Sequence, residues 1–266
     1  MNDNSFSLDT LDRIVAETFI GQIDYNQELS STNNRGLELA REQSEIPIAT
    51  LVLTERQTAG RGRGKNRWWS GEGGLAFSVL VNCGALKLPT SCWPKISLTT
   101  GLAVCDAIEK TIEVGDAKLK WPNDVYLSGC KACGILVEAP DSRRARVVIG
   151  IGINVNNTTA LAPLELRGHA ISLSDIAQQK IEPTEVLIQV LQQLAERLTS
   201  LARGTQDLRR DWHTRCLLTG QLVEIDLDTR HLIGVCHGID DNGALVLETE
   251  FGIERCLSGT VSDFTS

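Results

Sequence analysis

The sequence of 266 residues predicts an α+β protein with a larger domain over residues 1–216 and a small β-barrel over residues 217–266. Three observations predict it. Segments with apolar residues at helical spacing alternate with short strand-like segments over most of the chain. One helical segment carries leucines at spacings of four and three. After Thr219 the pattern changes to short strands separated by turn residues, which is typical of a small barrel.

The larger domain is predicted from the period of its apolar residues. Helices are expected over residues 9–20, 34–43, 96–112, 184–201 and 206–215. Strands are expected over residues 23–25, 48–53, 75–82, 117–120, 133–138 and 147–155. Ser7 or Asp9 can cap the first helix, and Ser31 or Thr32 the second. The leucine stripe of the fourth helix is shorter than three heptads, so it predicts core packing rather than a coiled coil.

The smaller domain is predicted from strands over residues 221–226, 231–238, 244–248 and 253–257. The sequence Asp241-Asn242-Gly243 is a strong hairpin turn, and Gly252 marks another bend. Fewer than fifty residues are close to the size limit for independent stability, so we expect this barrel to pack on the larger domain.

Composition narrows the classes of function. Apolar residues make up 42% and charged residues 23%, and the net charge is −8. A general basic face for nucleic acid is not expected, and there is no room for a helix-turn-helix before the first strands. The N-terminus does not resemble a signal peptide, and no apolar run reaches the ~20 residues of a membrane span. Eight scattered cysteines indicate a reduced compartment, hence a cytoplasmic protein, and the lone Cys130-x-x-Cys133 is weak evidence for zinc or redox chemistry.

A basic, glycine-rich segment over residues 57–70 connects two predicted strands. It alternates glycines with bases and ends in two tryptophans, as Gly60-Arg61-Gly62-Arg63-Gly64-Lys65-Asn66-Arg67-Trp68-Trp69. In isolation such a run is most often a solvated loop. Long connections inside a compact domain are commonly functional, and a local cluster of bases in an acidic chain favours a small anionic ligand.

Glycines also interrupt the strand over residues 147–155. Gly150 and Gly152 leave one face of it bare, which permits the close approach of a ligand or of a neighbouring backbone, and both interpretations stay open. Neither a P-loop nor a dinucleotide-binding glycine motif occurs in the sequence. A standard nucleotide-binding fold is therefore not indicated.

Four separated motifs carry a resemblance to a known family: Ser31-Thr32-Asn33, Gln57 with Gly60-Arg61-Gly62-Arg63 through Trp68 and Ser70, Lys120-Trp121-Pro122-Asn123-Asp124, and Gly152-Ile153-Asn154. In this combination the chain resembles biotin protein ligases, also called biotin–[acetyl-CoA-carboxylase] ligases. The segment over residues 238–245 resembles the SH3-like tail domain of that family. The resemblance implies a mixed-sheet catalytic domain of the biotin/lipoate ligase type and an SH3-like C-terminal barrel, without the N-terminal DNA-binding domain of bifunctional members.

This resemblance implies an ATP-dependent enzyme that works in two steps. The carboxylate of biotin attacks the α-phosphate of ATP, giving biotinyl-5′-AMP and pyrophosphate. A lysine amine of a biotin carboxyl carrier protein or domain then displaces AMP. ATP and Mg²⁺ are the implied cofactors, and neither DNA nor a membrane is an expected partner. The oligomeric state stays open, with a homodimer as one option.

The resemblance also implies roles for individual residues. Arg63 is expected to hold the adenylate phosphate and the activated carboxyl group, and Lys131 to neutralise the carboxylate and the α-phosphate. The implied biotin-binding residues are Ser31, Thr32, Asn33, Gln57, Arg61, Gly62, Arg63 and Lys131. The implied ATP- or adenylate-binding residues are Arg63, Asn66, Trp68 on the adenine side, Asn123 and Asn154, with Asp124 as a metal ligand.

Other interpretations compete with these roles. Ser31 and Thr32 could simply cap a helix, Lys131 could be a surface lysine in a turn, and Asp124 could cap a turn. The segment 64–67 departs from the commonest family pattern, which leaves open which of its bases reaches the triphosphate. A lipoate-type protein ligase of the same fold and a non-catalytic interaction module are the rival functions.

Overall fold

The computed structural model describes residues 6–113, 116–140, 144–227 and 230–265. Residues 1–5, which enter the inference against a signal peptide, lie outside these ranges. Within them the α-helices are α1 (Leu8–Glu17), α2 (Thr32–Glu42), α3 (Ile96–Ile112), α4 (Leu173–Ala177), α5 (Pro183–Arg203) and α6 (Leu208–His213). Short 3₁₀ helices span Thr90–Lys95, Thr159–Leu161 and Leu164–Leu166.

The larger domain is built on one mixed sheet. Its strands are β1 (Gln22–Leu29), β2 (Ala49–Gln57), β3 (Leu75–Asn82), β4 (Lys118–Lys120), β5 (Asp124–Leu127), β6 (Cys130–Glu138) and β7 (Arg146–Ile153). They lie in the order β1-β2-β3-β7-β6-β5-β4. Strands β1 and β2 are parallel, and the other neighbours are antiparallel. The α+β class and the mixed sheet are confirmed.

Helices cover both faces of this sheet. On one face, α2 packs Leu39 and Ala40 against Val52, Leu80 and Val148. The other face belongs to the large core that includes α3 and α5. Strand β3 is consequently buried on both sides along nearly its whole length. A strand of this kind reads as a continuous apolar run, and its apparent alternation in the sequence does not separate an inner from an outer face.

Two predictions about helices are settled by their contacts. The leucine stripe of α5 is at most 5% exposed at each of its members and belongs to the core, as predicted: Leu187, Leu191, Leu194, Leu198 and Leu201. Of the two caps proposed for α1, Ser7 is the one used, because its Oγ accepts a hydrogen bond from Thr10 N at 3.2 Å.

The smaller domain contains a five-stranded antiparallel sheet: β8 (Leu222–Asp226), β9 (His231–Ile239), β10 (Leu245–Thr249), β11 (Gly252–Cys256) and β12 (Thr260–Thr265). The strand order β11-β10-β9-β8-β12 fits a small SH3-like domain. The predicted turn joins β9 to β10, with Gly243 at φ +82°. The sequence missed β12, which returns to the far edge of the sheet and pairs with β8. The predicted boundary after residue 216 stays a prediction.

The structure differs from the prediction at two strands near the site: β6 begins earlier than predicted, and β5 was not predicted. Strand β6 begins at Cys130 rather than at residue 133, so Lys131 lies within a strand and not in a turn. Strand β5 was missed, and it pairs with β4 so that Lys120 and Asp124 stand opposite each other. The Lys120–Asp124 motif is therefore a tight hairpin. The small domain packs close to it, because Trp121 Nε1 donates to the carbonyl of Gly243 at 3.2 Å.

All eight cysteines are free thiols. Five are buried, as free cysteines commonly are. In the described parts of the chain no cluster of three His, Cys, Asp or Glu side chains is suited to a metal ion. The described helices include none that combines the length and the apolar character needed to cross a bilayer.

Candidate active site

A cavity of about 450 Å³ lies where the basic loop, the N-terminus of α2, the central strands and the small domain meet. This volume is in the usual range for small-molecule sites. Its lining includes nearly every residue that the sequence proposed: Ser31, Thr32, Asn33, Gln57, Arg61, Gly62, Arg63, Asn66, Trp68, Asn123, Asp124 and Lys131. Asn154 is the exception and lies outside the lining.

The cavity is strongly basic within an acidic protein. Among its described lining residues six are basic, namely Arg61, Arg63, Lys65, Arg67, Lys120 and Lys131, and one is acidic, Asp124. The chain as a whole has a net charge of −8. Basic groups concentrated around one concave surface raise the local concentration of anions and favour a phosphorylated ligand.

A set of buried hydrogen bonds, which we call the polar network, comprises Thr32, Asn33, Gln57, Ser70 and Ser78. Gln57 Oε1 accepts from Thr32 N at 2.8 Å, while Gln57 Nε2 donates to Ser70 Oγ at 3.0 Å. Ser78 Oγ lies 2.6 Å from Asn33 Oδ1 and 2.8 Å from Thr32 Oγ1. Each of these polar groups therefore has a partner within the large domain, as buried polar groups require.

Ser31 occupies the N-cap position of α2 but does not cap it with its side chain. The free N–H of Thr32 is satisfied by Gln57 instead. The hydroxyl of Ser31 consequently has no capping role, although Ser31 is only 2% exposed and lines the cavity. Helix capping by the side chain of Ser31, one of the two competing interpretations, is wrong, and a hydroxyl is left to meet a ligand at a helix N-terminus.

Glu138 joins the polar network to the basic loop. Arg61 forms a two-pronged ion pair with it, with distances of 2.8 Å to Oε1 and 3.0 Å to Oε2. Asn33 Nδ2 donates to the same Oε2 at 3.0 Å and to the carbonyl of Leu136 at 3.1 Å. The charge of Arg61 is thereby compensated within the protein, and its guanidinium is fixed in orientation.

The face of β7 that Gly150 and Gly152 leave without side chains is covered by side chains from other parts of the protein. A Cβ at Gly150 would overlap the side-chain amide of Asn33, and one at Gly152 would overlap the indole of Trp68. A Cβ at Gly134 on the neighbouring strand would come within 3.0 Å of the same indole. The glycines thus seat Asn33 and Trp68 in close contact with the sheet, and they also line the cavity, so the approach of a ligand to them stays a prediction.

The basic loop forms a short hairpin. Arg61 and Arg67 bridge to each other, Gly62 N donates to the carbonyl of Asn66 at 2.8 Å, and Asn66 N donates to that of Arg63 at 3.2 Å. At the tip, Gly64 adopts φ +63°, which a residue with a side chain rarely adopts. The departure from the common family pattern therefore lies in a turn, whose Lys65 and Arg67 are exposed to solvent and line the cavity.

Lys131 and Asp124 form an ion pair at 2.6 Å. The backbone of Lys131 is fixed by hydrogen bonds with His169 and Ile171, and Asn154 Nδ2 reaches its carbonyl at 3.4 Å. Lys131 Nζ also lies 6.0 Å from the centre of the Trp68 ring. Lys131 is therefore held in the cavity from several directions and is not a loose surface lysine.

The amides that the sequence assigned to ATP are used differently. Asn154 is 4% exposed and accepts a hydrogen bond from Asn157 at 2.9 Å, behind Lys131 and outside the cavity lining. Asn123 lines the cavity, but its Nδ2 donates to the carbonyl of Ile135 at 2.8 Å. Asn154 is placed to support Lys131 rather than to touch a ligand directly.

Several residues of the site escaped the sequence. Ser78 is a polar residue on a buried strand, and Glu138 is a charged residue at the end of the strand predicted over residues 133–138, so both carried a signal that could have been used. The small domain contributes Thr260 and Val261 to the lining, and the carbonyl of Gly259 accepts a hydrogen bond from Arg63 Nη1. These last residues lie on or next to β12, a strand that the sequence analysis missed.

Comparisons with known proteins point to one family. A family model described as the biotin/lipoate A/B protein ligase family matches residues 26–155. The bifunctional ligase/repressor BirA of Bacillus subtilis is 35% identical over 241 residues, which cover 89% of this chain and 72% of that protein. The biotin–[acetyl-CoA-carboxylase] ligase of Mycobacterium tuberculosis is 32% identical, with 85% and 83% covered.

Solved structures agree. The biotin protein ligase from Aquifex aeolicus in complex with biotin and ATP superposes with a TM-score of 0.76 at 31% sequence identity. The superposition covers 92% of this chain and 98% of that one, so it includes both sheets.

Proposed function

This chain belongs to the biotin/lipoate A/B protein ligase family, and we propose that it is an ATP-dependent biotin protein ligase. In the first step a carboxylate oxygen of biotin forms a bond to the α-phosphorus of ATP, and pyrophosphate leaves. In the second step a lysine amine of the acceptor protein forms an amide bond to the activated carbon. AMP leaves with the electron pair of the broken C–O bond, and the amine gives up a proton.

One cavity holds both kinds of surface that this reaction needs. The polar network and Ser31 present neutral donors and acceptors to a small polar ring, while the six bases present positive charge to phosphates. A carboxylate approaching a phosphate is an anion meeting an anion, so the protein contributes mainly positioning and neutralisation of charge. This adjacency is the observation that supports the proposal most strongly.

The residue roles that we propose are those implied by the family resemblance, and these placements support them. Ser31, Thr32, Asn33 and Gln57 bind the ureido ring of biotin, with Arg61 and the backbone of Gly62 closing over it. Lys131, held by Asp124, neutralises the carboxylate and the α-phosphate. Arg63 retains the adenylate, and Trp68 lies on the adenine side, with Asn66 and Asn123 at the edge of the same cavity.

The residues of this site would hold Mg²⁺ only together with the phosphates of the nucleotide. Asp124 is the single carboxylate of the described lining and is already paired with Lys131. Mg²⁺ is usually held by one or two carboxylates together with substrate phosphates, so one carboxylate suffices. When bound, Mg²⁺ supplies further neutralisation of the phosphate charge.

The acceptor is proposed to be the biotin carboxyl carrier domain of a carboxylase. The relatives named biotin–[acetyl-CoA-carboxylase] ligase support this choice. A cytoplasmic location is proposed from the eight free thiols, which suit a reducing compartment. Homodimer formation and the lack of direct DNA binding stay predictions from the sequence.

The decisive experiment is mass spectrometry of a purified biotin carboxyl carrier domain incubated with the protein, ATP, Mg²⁺ and biotin. We expect a gain of one biotinyl group on one lysine, and none when ATP is omitted. Parallel reactions with lipoate address the rival ligase, because a gain with lipoate and none with biotin would overturn the choice of substrate. The absence of biotin-dependent pyrophosphate release would favour an interaction module.

A further inference from the structure

The bases of the cavity differ in whether a carboxylate already compensates them. Arg61 is paired with Glu138, and Lys131 is paired with Asp124. For Arg63 and Lys120, no carboxylate oxygen lies within 4.0 Å in the described parts of the chain. Both are partly buried, whereas the uncompensated Lys65 and Arg67 are exposed. Arg63 and Lys120 are therefore the partly buried charges that remain available to an incoming anion.

The same strand of the small domain holds both of these charges. The carbonyl of Gly259, the residue directly before β12, accepts a hydrogen bond from Arg63 Nη1. Phe264, near the end of β12, places its ring under Lys120, with Nζ 4.9 Å from the ring centre. An aromatic face attracts a cation without neutralising it, so the N–H groups that point away from the ring stay free for a second partner.

A bulge in β12 makes this double contact feasible. Val261 is opposite Ile225 and Phe264 is opposite Val223, with the register shifting between Val261 and Asp263. Residues three apart on a regular strand point to opposite faces, but Ile225 and Val223 are both fully buried on one face of β8. The extra residue therefore turns Val261 and Phe264 to the same face, toward the large domain, as bulges commonly do when they re-aim a side chain.

Lys120 lies in a half-buried position, where the charged form of its ammonium group is disfavoured unless an anion is close. Burial lowers the pKa of its ammonium below the ordinary value, and the neighbouring Lys131 acts in the same direction, whereas Asp124 and Asp263 oppose them. A bound phosphate would oppose this lowering and favour the charged form. A flexible lysine side chain loses conformational entropy when it is fixed on a ligand. Contact with the ring of Phe264 restricts the side chain before the ligand binds, and so reduces this loss on binding.

We propose that Lys120 binds the polyphosphate of ATP and that Phe264 of the small domain is the positioning residue that holds it there. This inference rests on the proposed function and adds to it a residue pair that spans the two domains. It makes β12 a part of the nucleotide site, and it assigns the small domain a role in binding ATP rather than biotin.

The test uses the full chain, four single variants and one double variant in biotin-dependent exchange of pyrophosphate into ATP. We expect Lys120→Met to raise the KM for ATP by about tenfold or more, as expected for loss of a hydrogen bond to a charged group. Phe264→Leu should raise it by about threefold to tenfold, in the range of a partly buried cation–π contact. Phe264→Tyr keeps the ring and should stay within twofold of wild type. Phe251→Leu, at a site 88% exposed in the same domain, is the matched control.

A purely structural role for Phe264 makes different predictions. It would raise the KM values for ATP and biotin together and lower the melting temperature, and that outcome would overturn the proposal. An unchanged KM for ATP in Phe264→Leu would do so as well. In the double variant Lys120→Met/Phe264→Leu, we expect no further loss beyond Lys120→Met, because the ring acts only through the lysine.

Calorimetric titration with ATP alone separates this inference from the proposed function. Weaker ATP binding by Phe264→Leu supports the inference even if wild type catalyses no biotin-dependent exchange, a result that would overturn the proposed function. Equal ATP binding by wild type and Phe264→Leu, together with normal exchange in wild type, would overturn the inference and leave the proposed function standing.

Discussion

The polar network and the basic group, defined here as Arg63, Lys65, Arg67 and Lys120, line one cavity but are held in different ways. The polar network is buried at Thr32, Asn33 and Ser78 and half-buried at Gln57 and Ser70, and its partners all belong to the large domain. The basic group is exposed or only partly buried, and its two fixed members are contacted by the small domain.

The difference follows from the kind of ligand each region must meet. A buried polar group without a partner costs roughly 1–3 kcal/mol, so the polar network has to be arranged by folding itself. Such a fixed set of donors and acceptors suits a neutral ring. A triphosphate instead needs cations that are not already paired with a carboxylate of the protein. Close, unpaired cations repel one another, and exposure to water or contact with a carbonyl or an aromatic ring reduces that repulsion.

The largest effect is expected at Lys131, which borders both regions. Replacing Lys131 with Met should lower the rate of adenylate formation by about 10²–10³-fold, the usual loss when one group that stabilises transition-state charge is removed. Biotin-dependent exchange of pyrophosphate into ATP measures this rate directly. The polar network does not depend on the ammonium, so biotin binding should fall far less than the rate.

Lys118→Met is the matched control for this variant. Lys118 is also a strand lysine with an aspartate partner, Asp116 at 2.7 Å, and its side chain is 32% exposed against 34% for Lys131. It lies outside the lining of the cavity. Equal losses in the two variants, or near-normal exchange by Lys131→Met, would show that the charge of Lys131 is not used in the reaction.

The next effect concerns the rigidity of the polar network. In Gly150→Ala the new methyl group overlaps the amide of Asn33, which must then leave Ser78 and Glu138. Loss of these bonds should weaken biotin binding by about 5- to 150-fold, the equivalent of roughly 1–3 kcal/mol. Calorimetric titration with biotin measures the change.

Gly84→Ala serves as the comparison, since a Cβ at Gly84 would meet Asn82 Oδ1 only at an ordinary 3.4 Å. Because the basic group is separate from this contact, the affinity for ATP should change little in Gly150→Ala. Biotin binding at wild-type strength would mean that the network rearranges freely and is not the fixed surface described above.

A smaller effect is expected at Arg63, whose replacement should raise the rate at which the adenylate escapes by about tenfold. In Arg63→Gly a hydrogen bond to a charged group disappears, and the intermediate should escape correspondingly faster. The fraction of adenylate that stays with the protein after rapid desalting, followed over time, gives the rate of escape. Arg63→Met separates loss of charge from the added flexibility of glycine, and Arg56→Met, at an arginine 67% exposed outside the cavity, is the control. Retention as long as in wild type would exclude this role for Arg63.

The two regions also differ in how far the sequence predicts them. Ser31, Thr32, Asn33 and Gln57 were named from short motifs that resemble those of the family, and all four line the cavity. The sequence could not show that Asn154 faces Asn157 instead of the cavity, since the direction of a strand-end side chain depends on the bonds made by its neighbours.

The contribution of the small domain was missed for a physical reason. A bulge breaks the alternation of β12, so the period-two signal of a strand is weakened at Val261. Contacts between residues far apart in sequence, such as Arg63 with Gly259 or Lys120 with Phe264, depend on how two domains pack. A local sequence pattern does not predict such packing between domains. It did predict the fold class and most helix and strand positions, which were confirmed.

The smallest effects are expected for Lys65→Met and Arg67→Met, which also address the segment where this chain leaves the family pattern. Both residues line the cavity but are exposed to solvent, and their side chains have no fixed partner among the described residues, so each should change the KM for ATP by about twofold through screened attraction alone. At about 1 M salt the Debye length is only about 3 Å, and the ratio of variant to wild type should approach one. Lys120→Met should keep its larger effect at the same salt concentration, because Lys120 is partly buried. A tenfold effect of Lys65→Met or Arg67→Met that persists in high salt would identify that residue as a direct phosphate ligand, and the triphosphate would then extend along the hairpin rather than toward β12.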